Sequence, residues 1–72
     1  MFQENEFKAE LVRKGYTVNS LVETMRNEGT TMNVATMYRK INGTSDFFLN
    51  EIQSIARILN LDGQSILRIF FA

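Results

Sequence analysis

Neither cysteine nor histidine occurs among the 72 residues, and that double absence removes several chemistries at once. Disulfide bridges are impossible, zinc sites of the usual kind lack their ligands, and nucleophilic catalysis by Cys or by a Ser–His pair has no thiol or base to use. Proline is missing too, so glycine and cap residues are the only punctuation in the chain. No apolar run approaches the roughly 20 residues of a membrane span. The opening MFQENEFKAELVRKG mixes acids into short apolar clusters, unlike the charged-then-apolar layout of a secretory signal. The expectation is a soluble intracellular protein, in which the glycosylation pattern Asn42-Gly43-Thr44 has no meaning.

Net charge is also lacking. Eight basic residues balance eight acidic ones, which counts against a protein that holds nucleic acid through charge alone. The distribution is uneven, however. From Gly29 to Ser45 there is no carboxylate, while Arg39 and Lys40 lie inside that stretch. The middle of the chain is locally positive.

What the chain does have is helical patterning over a length suited to one small domain, residues 1–72. Asn5 or Glu4 can open a first helix with Phe7, Leu11 and Val12 inward, and Gly15 can close it after Arg13 and Lys14. Thr17 is an N-cap for a second helix that buries Leu21, Val22 and Met25 and stops at Gly29. Asn33 caps a third, Val34 to Ile41, ended by Asn42-Gly43. Ile52, Ile55, Ala56 and Leu59 fall at i, i+3, i+4 and i+7 and mark a fourth, with Asn60 a plausible end. Asp62 caps a short fifth helix containing Ile66, Leu67 and Phe70. No segment alternates as a strand would, so the fold class is all-α, a compact five-helix bundle. Met25, Met32 and Met37 suit core filling.

Two helices starting at Thr17 and Asn33, the second short and followed by Asn-Gly, are what a helix-turn-helix needs, with one helix bracing across the backbone while the next enters the major groove. The stretches Leu11 to Thr17, Leu21-Val22, Thr36-Met37-Tyr38-Arg39-Lys40-Ile41-Asn42-Gly43, and Phe47 through Ile52 with Ile55-Ala56 and Leu59 carry a resemblance. Taken together, residues 6 to 71 resemble the phage repressor and Cro-like family of helix-turn-helix domains, of the lambda-repressor-like fold. The resemblance implies a transcriptional regulator that binds double-stranded DNA in the cytoplasm of a bacterial or phage-infected cell; scattered carboxylates with no histidine, cysteine or glycine-rich phosphate loop beside them argue against an enzyme, and no cofactor or metal is expected.

Carried over by position, the resemblance puts Val34, Ala35 and Arg39 at base edges, with Tyr38 nearby. It puts Asn33, Thr36 and Asn42-Gly43 near phosphates, and likewise Thr17 and Val18 at the start of the second helix. Arg39 is the clear reader, because its planar fork can take guanine O6 and N7 together; Val34 and Ala35 offer only apolar contact to thymine methyls. Lys40, beside Arg39, is a further DNA-binding candidate, although an arbitrary Arg-Lys pair more often solvates a helix face and the stem of Lys40 can instead pack inward. Tyr38 can meet the DNA backbone or cover the core edge. The connection from Met25 to Asn33 is longer than the family's tight turn, so either the second helix extends through Glu28 or a loop projects beside the groove.

At the C-terminus, Ile66, Leu67, Ile69, Phe70 and Phe71 cannot all face one core from a short helix. The excess, Ile69, Phe70 and Phe71, suggests a homodimer surface suited to paired half-sites. A second function stays open: a protein-interaction module of the same fold, an antirepressor or partner-binding subunit, favoured by neutral charge and by apolar Val18, Val34 and Ala35.

Overall fold

Local hydrogen bonds set the helix boundaries in the computed structural model, which describes all 72 residues. Helix α1 (Glu4–Lys14) begins after Gln3, which gives no side-chain cap, and carries Glu4 and Glu6 in its first turn and Arg13 and Lys14 in its last. That charge order suits the helix dipole. Gly15 then turns left-handed at φ +79° and the Tyr16 N–H closes on the Leu11 carbonyl at 2.8 Å. Helix α2 (Val18–Asn27) opens with a reciprocal cap: Thr17 Oγ1 accepts from Ser20 N–H at 3.1 Å, and Ser20 Oγ accepts from Thr17 N–H at 2.9 Å. It stops at Asn27 with Glu28 as its C-cap, and Gly29 turns left-handed at φ +92°, so most of the long connection, Glu28 to Met32, lies outside the helix.

Helix α3 (Val34–Ile41) starts at Asn33, whose Oδ1 accepts from Thr36 N–H at 2.8 Å. Helix α4 (Leu49–Leu59) is entered where the Glu51 carboxylate accepts the Phe48 N–H at 2.8 Å. It ends at Asn60, the one residue other than glycine with positive φ. Asp62 Oδ1 caps α5 (Gly63–Ile66) through Ser65 N–H at 2.7 Å, and α5 continues into a π-helical segment, Leu67–Phe71. All regular structure is helical.

These elements wrap one core. Helix α2 packs on both α3 and α4, while α1 lies against α4 and the π-helical segment. The core holds Phe7, Leu11, Leu21, Val22, Met25, Met32, Met37, Ile41, Ile52, Ile55 and Leu59 with Ile69 and Phe70. The radius of gyration, 10.9 Å, matches the roughly 11 Å of a compact chain this long.

The expectations for Val12, for the C-terminal Ile69 and Phe70, and for Lys40 need correction. Val12 is 79% exposed, because the stripe of α1 that meets the core runs through Phe7, Glu10 and Leu11. Part of the C-terminal apolar set does stay outside, as expected, but it is Leu67 and Phe71. Ile69 and Phe70 are 0% and 7% exposed, so neither belongs to a surface patch; the wider π-helical turn sets these consecutive residues inward together and leaves Phe71 outside. Lys40 is only 4% exposed. Beyond those expectations, Phe2 and Phe47 join Phe7 and Phe70 in a four-ring cluster with centroids 4.9–6.4 Å apart.

Candidate nucleic-acid interface

An eight-residue helix has room for one buried stripe and one exposed stripe, and α3 has both. Met37, Lys40 and Ile41 face inward. Ala35, Tyr38, Arg39 and Asn42 are exposed, at i, i+3, i+4 and i+7, and form a continuous outer stripe. Val34 and Thr36 are half-buried, Val34 packing against the core edge. The cap Asn33 is exposed at the head of the stripe. Arg39 leans along α3 and donates from Nη2 to Thr36 Oγ1 at 3.1 Å, a single hydrogen bond that leaves the rest of its guanidinium free.

Charge pairing separates this arginine from most of the other cations. Lys8, Arg13, Lys40, Arg57 and Arg68 each have a carboxylate within 4.0 Å: Glu4, Glu10, Glu51, Glu28 and Glu6 in turn. Lys14, Arg26 and Arg39 have none. Arg26, on the last turn of α2, shares a surface hollow with Thr31 and Asn33, which brings a second free guanidinium beside the start of α3. Nothing in the residue pattern marks Arg26, because its nearness to Asn33 arises from the path of the chain between Glu28 and Met32.

A larger cleft of about 650 Å³ opens between α3 and the start of α4, with Asn33, Thr36, Arg39, Ser45, Asp46 and Asn50 on its walls. Most of its lining residues are polar or charged, although much of the surface they present is carbon, and Asp46 puts one exposed, unpaired carboxylate there. Of the residues expected at an interface, the cleft gathers Asn33, Thr36 and Arg39; the outer stripe adds Ala35, Tyr38 and Asn42. Thr17 and Val18 lie at the head of α2, where the Thr17 hydroxyl is committed to the cap and Val18 is half-buried against the core.

Lys40 does not join the exposed set. Its Nζ lies 2.8 Å from Glu51 Oε1, donates to the Asp46 carbonyl at 2.9 Å, and sits 3.9 Å from the Phe48 ring centroid. Two anionic or polar acceptors and an aromatic face satisfy a buried ammonium, so the side chain reaches no solvent-borne ligand. Comparison with protein-family models, curated proteins and solved structures returned no match.

Proposed function

We propose that the chain is a sequence-specific double-stranded DNA-binding transcriptional regulator of the phage repressor or Cro-like kind, with α2 and α3 as its helix-turn-helix. The observation that carries this reading is the outer stripe of α3, Ala35, Tyr38, Arg39 and Asn42, with an unpaired arginine in a segment free of carboxylates up to Ser45. A helix lying in the major groove presents such a stripe to base edges, and a free guanidinium is the side chain best matched to guanine. Arg39 then reads guanine, Ala35 meets a thymine methyl, and Tyr38 and Asn42 lie towards the backbone. Arg26 supplies a phosphate contact beside the head of α3. Val34, half-buried, contributes less than Ala35. Two copies on a pseudo-palindromic site would set their α3 helices about 34 Å apart, with Leu67 and Phe71 the apolar side chains left at the C-terminal surface.

Selection of bound sequences from random duplex DNA tests this reading: an enriched motif, palindromic if two copies act together, supports it. A second reading, a protein-interaction module of the same fold, draws on zero net charge and on the exposed Tyr38, Phe48 and Leu49, of which Phe48 lines the same cleft. No enrichment at low salt favours that reading over the first. No catalytic step is proposed, since the unpaired acids Glu23, Asp46 and Asp62 lie on separate elements.

A further inference from the structure

A buried ion pair stands directly behind the candidate interface, and its construction is unusual for so small a domain. Lys40, on α3, and Glu51, on the first turn of α4, have side chains only 4% and 6% exposed and meet at 2.8 Å. Glu51 Oε1 serves two partners at once: Lys40 Nζ at 2.8 Å and the Phe48 backbone N–H at 2.8 Å. Lys40 Nζ in turn holds the Asp46 carbonyl at 2.9 Å. One ammonium and one carboxylate therefore join the last turn of α3, the connection after it and the head of α4.

Stability alone is a poor explanation for this arrangement. Removing two charges from water costs much of what their attraction returns, and apolar pairs of similar volume commonly do as well or better in the same position. An apolar contact also slides, whereas an ion pair with shared hydrogen bonds is satisfied in only one register. What it registers here is the outer stripe of α3, because Lys40 immediately follows Arg39 and both border the cleft that Ser45, Asp46 and Asn50 wall on the other side.

Resting on the DNA-binding reading above, we infer that Lys40 and Glu51 are positioning residues that lock α3 to α4, so that Arg39 meets a base edge at one angle, while Lys40 itself touches no DNA. Groove recognition tolerates only small errors in placement, so loosening this register degrades discrimination before it degrades general affinity.

The test uses Lys40→Met/Glu51→Gln, which removes both charges and keeps an acceptor for the Phe48 N–H, so that neither member is left as an uncompensated buried charge. It should stay folded, with a melting midpoint within about 5 °C of wild type. In the free protein, residual dipolar couplings of α3 should cease to fit the frame shared by α2 and α4. On DNA, preference for the selected site over a scrambled duplex should fall about tenfold or more, with the salt dependence unchanged. Lys40→Arg, which preserves the charge, should recover part of that preference. Wild-type couplings together with wild-type discrimination overturn the inference. Equal weakening on all duplexes with the salt slope reduced by about one makes Lys40 a phosphate contact and overturns it as well. If the wild-type protein enriches no sequence, the DNA-binding reading fails on its own, and the couplings still decide whether the pair sets the register.

Discussion

Arg39 and Arg26 are both unpaired arginines, yet their placements call for different effects on binding. Arg39 lies on the outer stripe of α3, so Arg39→Ala should lower binding to the best site by about 1–3 kcal/mol and abolish preference at one base pair. Arg26 borders the head of α3, so Arg26→Ala should weaken all duplexes alike and flatten the salt dependence by about one unit. Binding of both variants to selected and scrambled duplexes across a range of salt separates these roles, and interchanged results would put the wrong arginine in the groove. Arg13 is a poorer probe than its place near the end of α1 suggests, since it pairs with the buried Glu10.

Two further side chains give predictions at this scale. Asp62 accepts the Ser65 backbone N–H and is further helped by the Ser65 side chain, and these bonds hold its carboxyl below the ordinary 3.8. A carboxylate with a lowered folded-state pKa adds stability above its unfolded pKa and loses it as pH falls through the folded value. Acid titration followed by circular dichroism should therefore show α5 loosening only below about pH 4, and Asp62→Asn, which can still cap, should remove that component. Ser54, inside α4, has a buried hydroxyl without a hydrogen-bond partner. Ser54→Ala should raise stability by about 1 kcal/mol, seen as a higher denaturation midpoint.

At the scale of an element, α3 stands on its cap. Asn33→Ala removes the acceptor for Thr36 N–H and should cost about 1 kcal/mol, or about 4–8 °C in melting, whereas Asn33→Asp or Asn33→Ser should cost little. An unchanged midpoint for the alanine variant would mean that α3 draws nothing from that bond. Caps explain why the helices were so readable: Thr17, Asn33 and Asp62 each act on a residue three positions ahead, and Gly15 acts on the turn before it. The outer stripe of α3 was readable for the same reason, since helical spacing by itself puts Ala35, Tyr38, Arg39 and Asn42 on one side. What depends on distant parts of the chain was not readable. Lys40 turned inward because Glu51 waits on another helix, Phe2 packs against the core because Phe47 and Phe70 meet it there, and the π-helical turn after α5 changed which C-terminal side chains are hidden.

For the molecule as a whole, exposed apolar side chains are scattered over several faces, and the share at the C-terminal end is small. With Ile69 and Phe70 inside, that end offers Leu67, Phe71 and the neighbouring Met1, whereas a stable specific interface buries about 800 Å² per partner. A large side chain supplies at most about 150–250 Å². The free protein should therefore sediment as a monomer of 8.3 kDa at micromolar concentration, with pairing confined to DNA that carries two half-sites. A concentration-independent dimer without DNA would show that another face, such as that of Phe48 and Leu49, joins the copies.

The ends of the chain are knitted together. Gln3 N–H donates to the Ile69 carbonyl at 2.6 Å, its side-chain amide reaches the Ala72 carbonyl 69 residues away, and the Phe2 ring lies against Phe70. Topologically the backbone is a ring missing one covalent link. The packing of α1 and α2 on α4 spans shorter separations along the chain, so this last seam carries the largest entropy of closure during folding. Joining residue 72 to residue 1 through a short flexible peptide, and opening the ring instead beside Asn60, would turn the most distant contact into a neighbouring one. Such a circular permutant would refold faster than the linear chain while presenting the same α3 to its target.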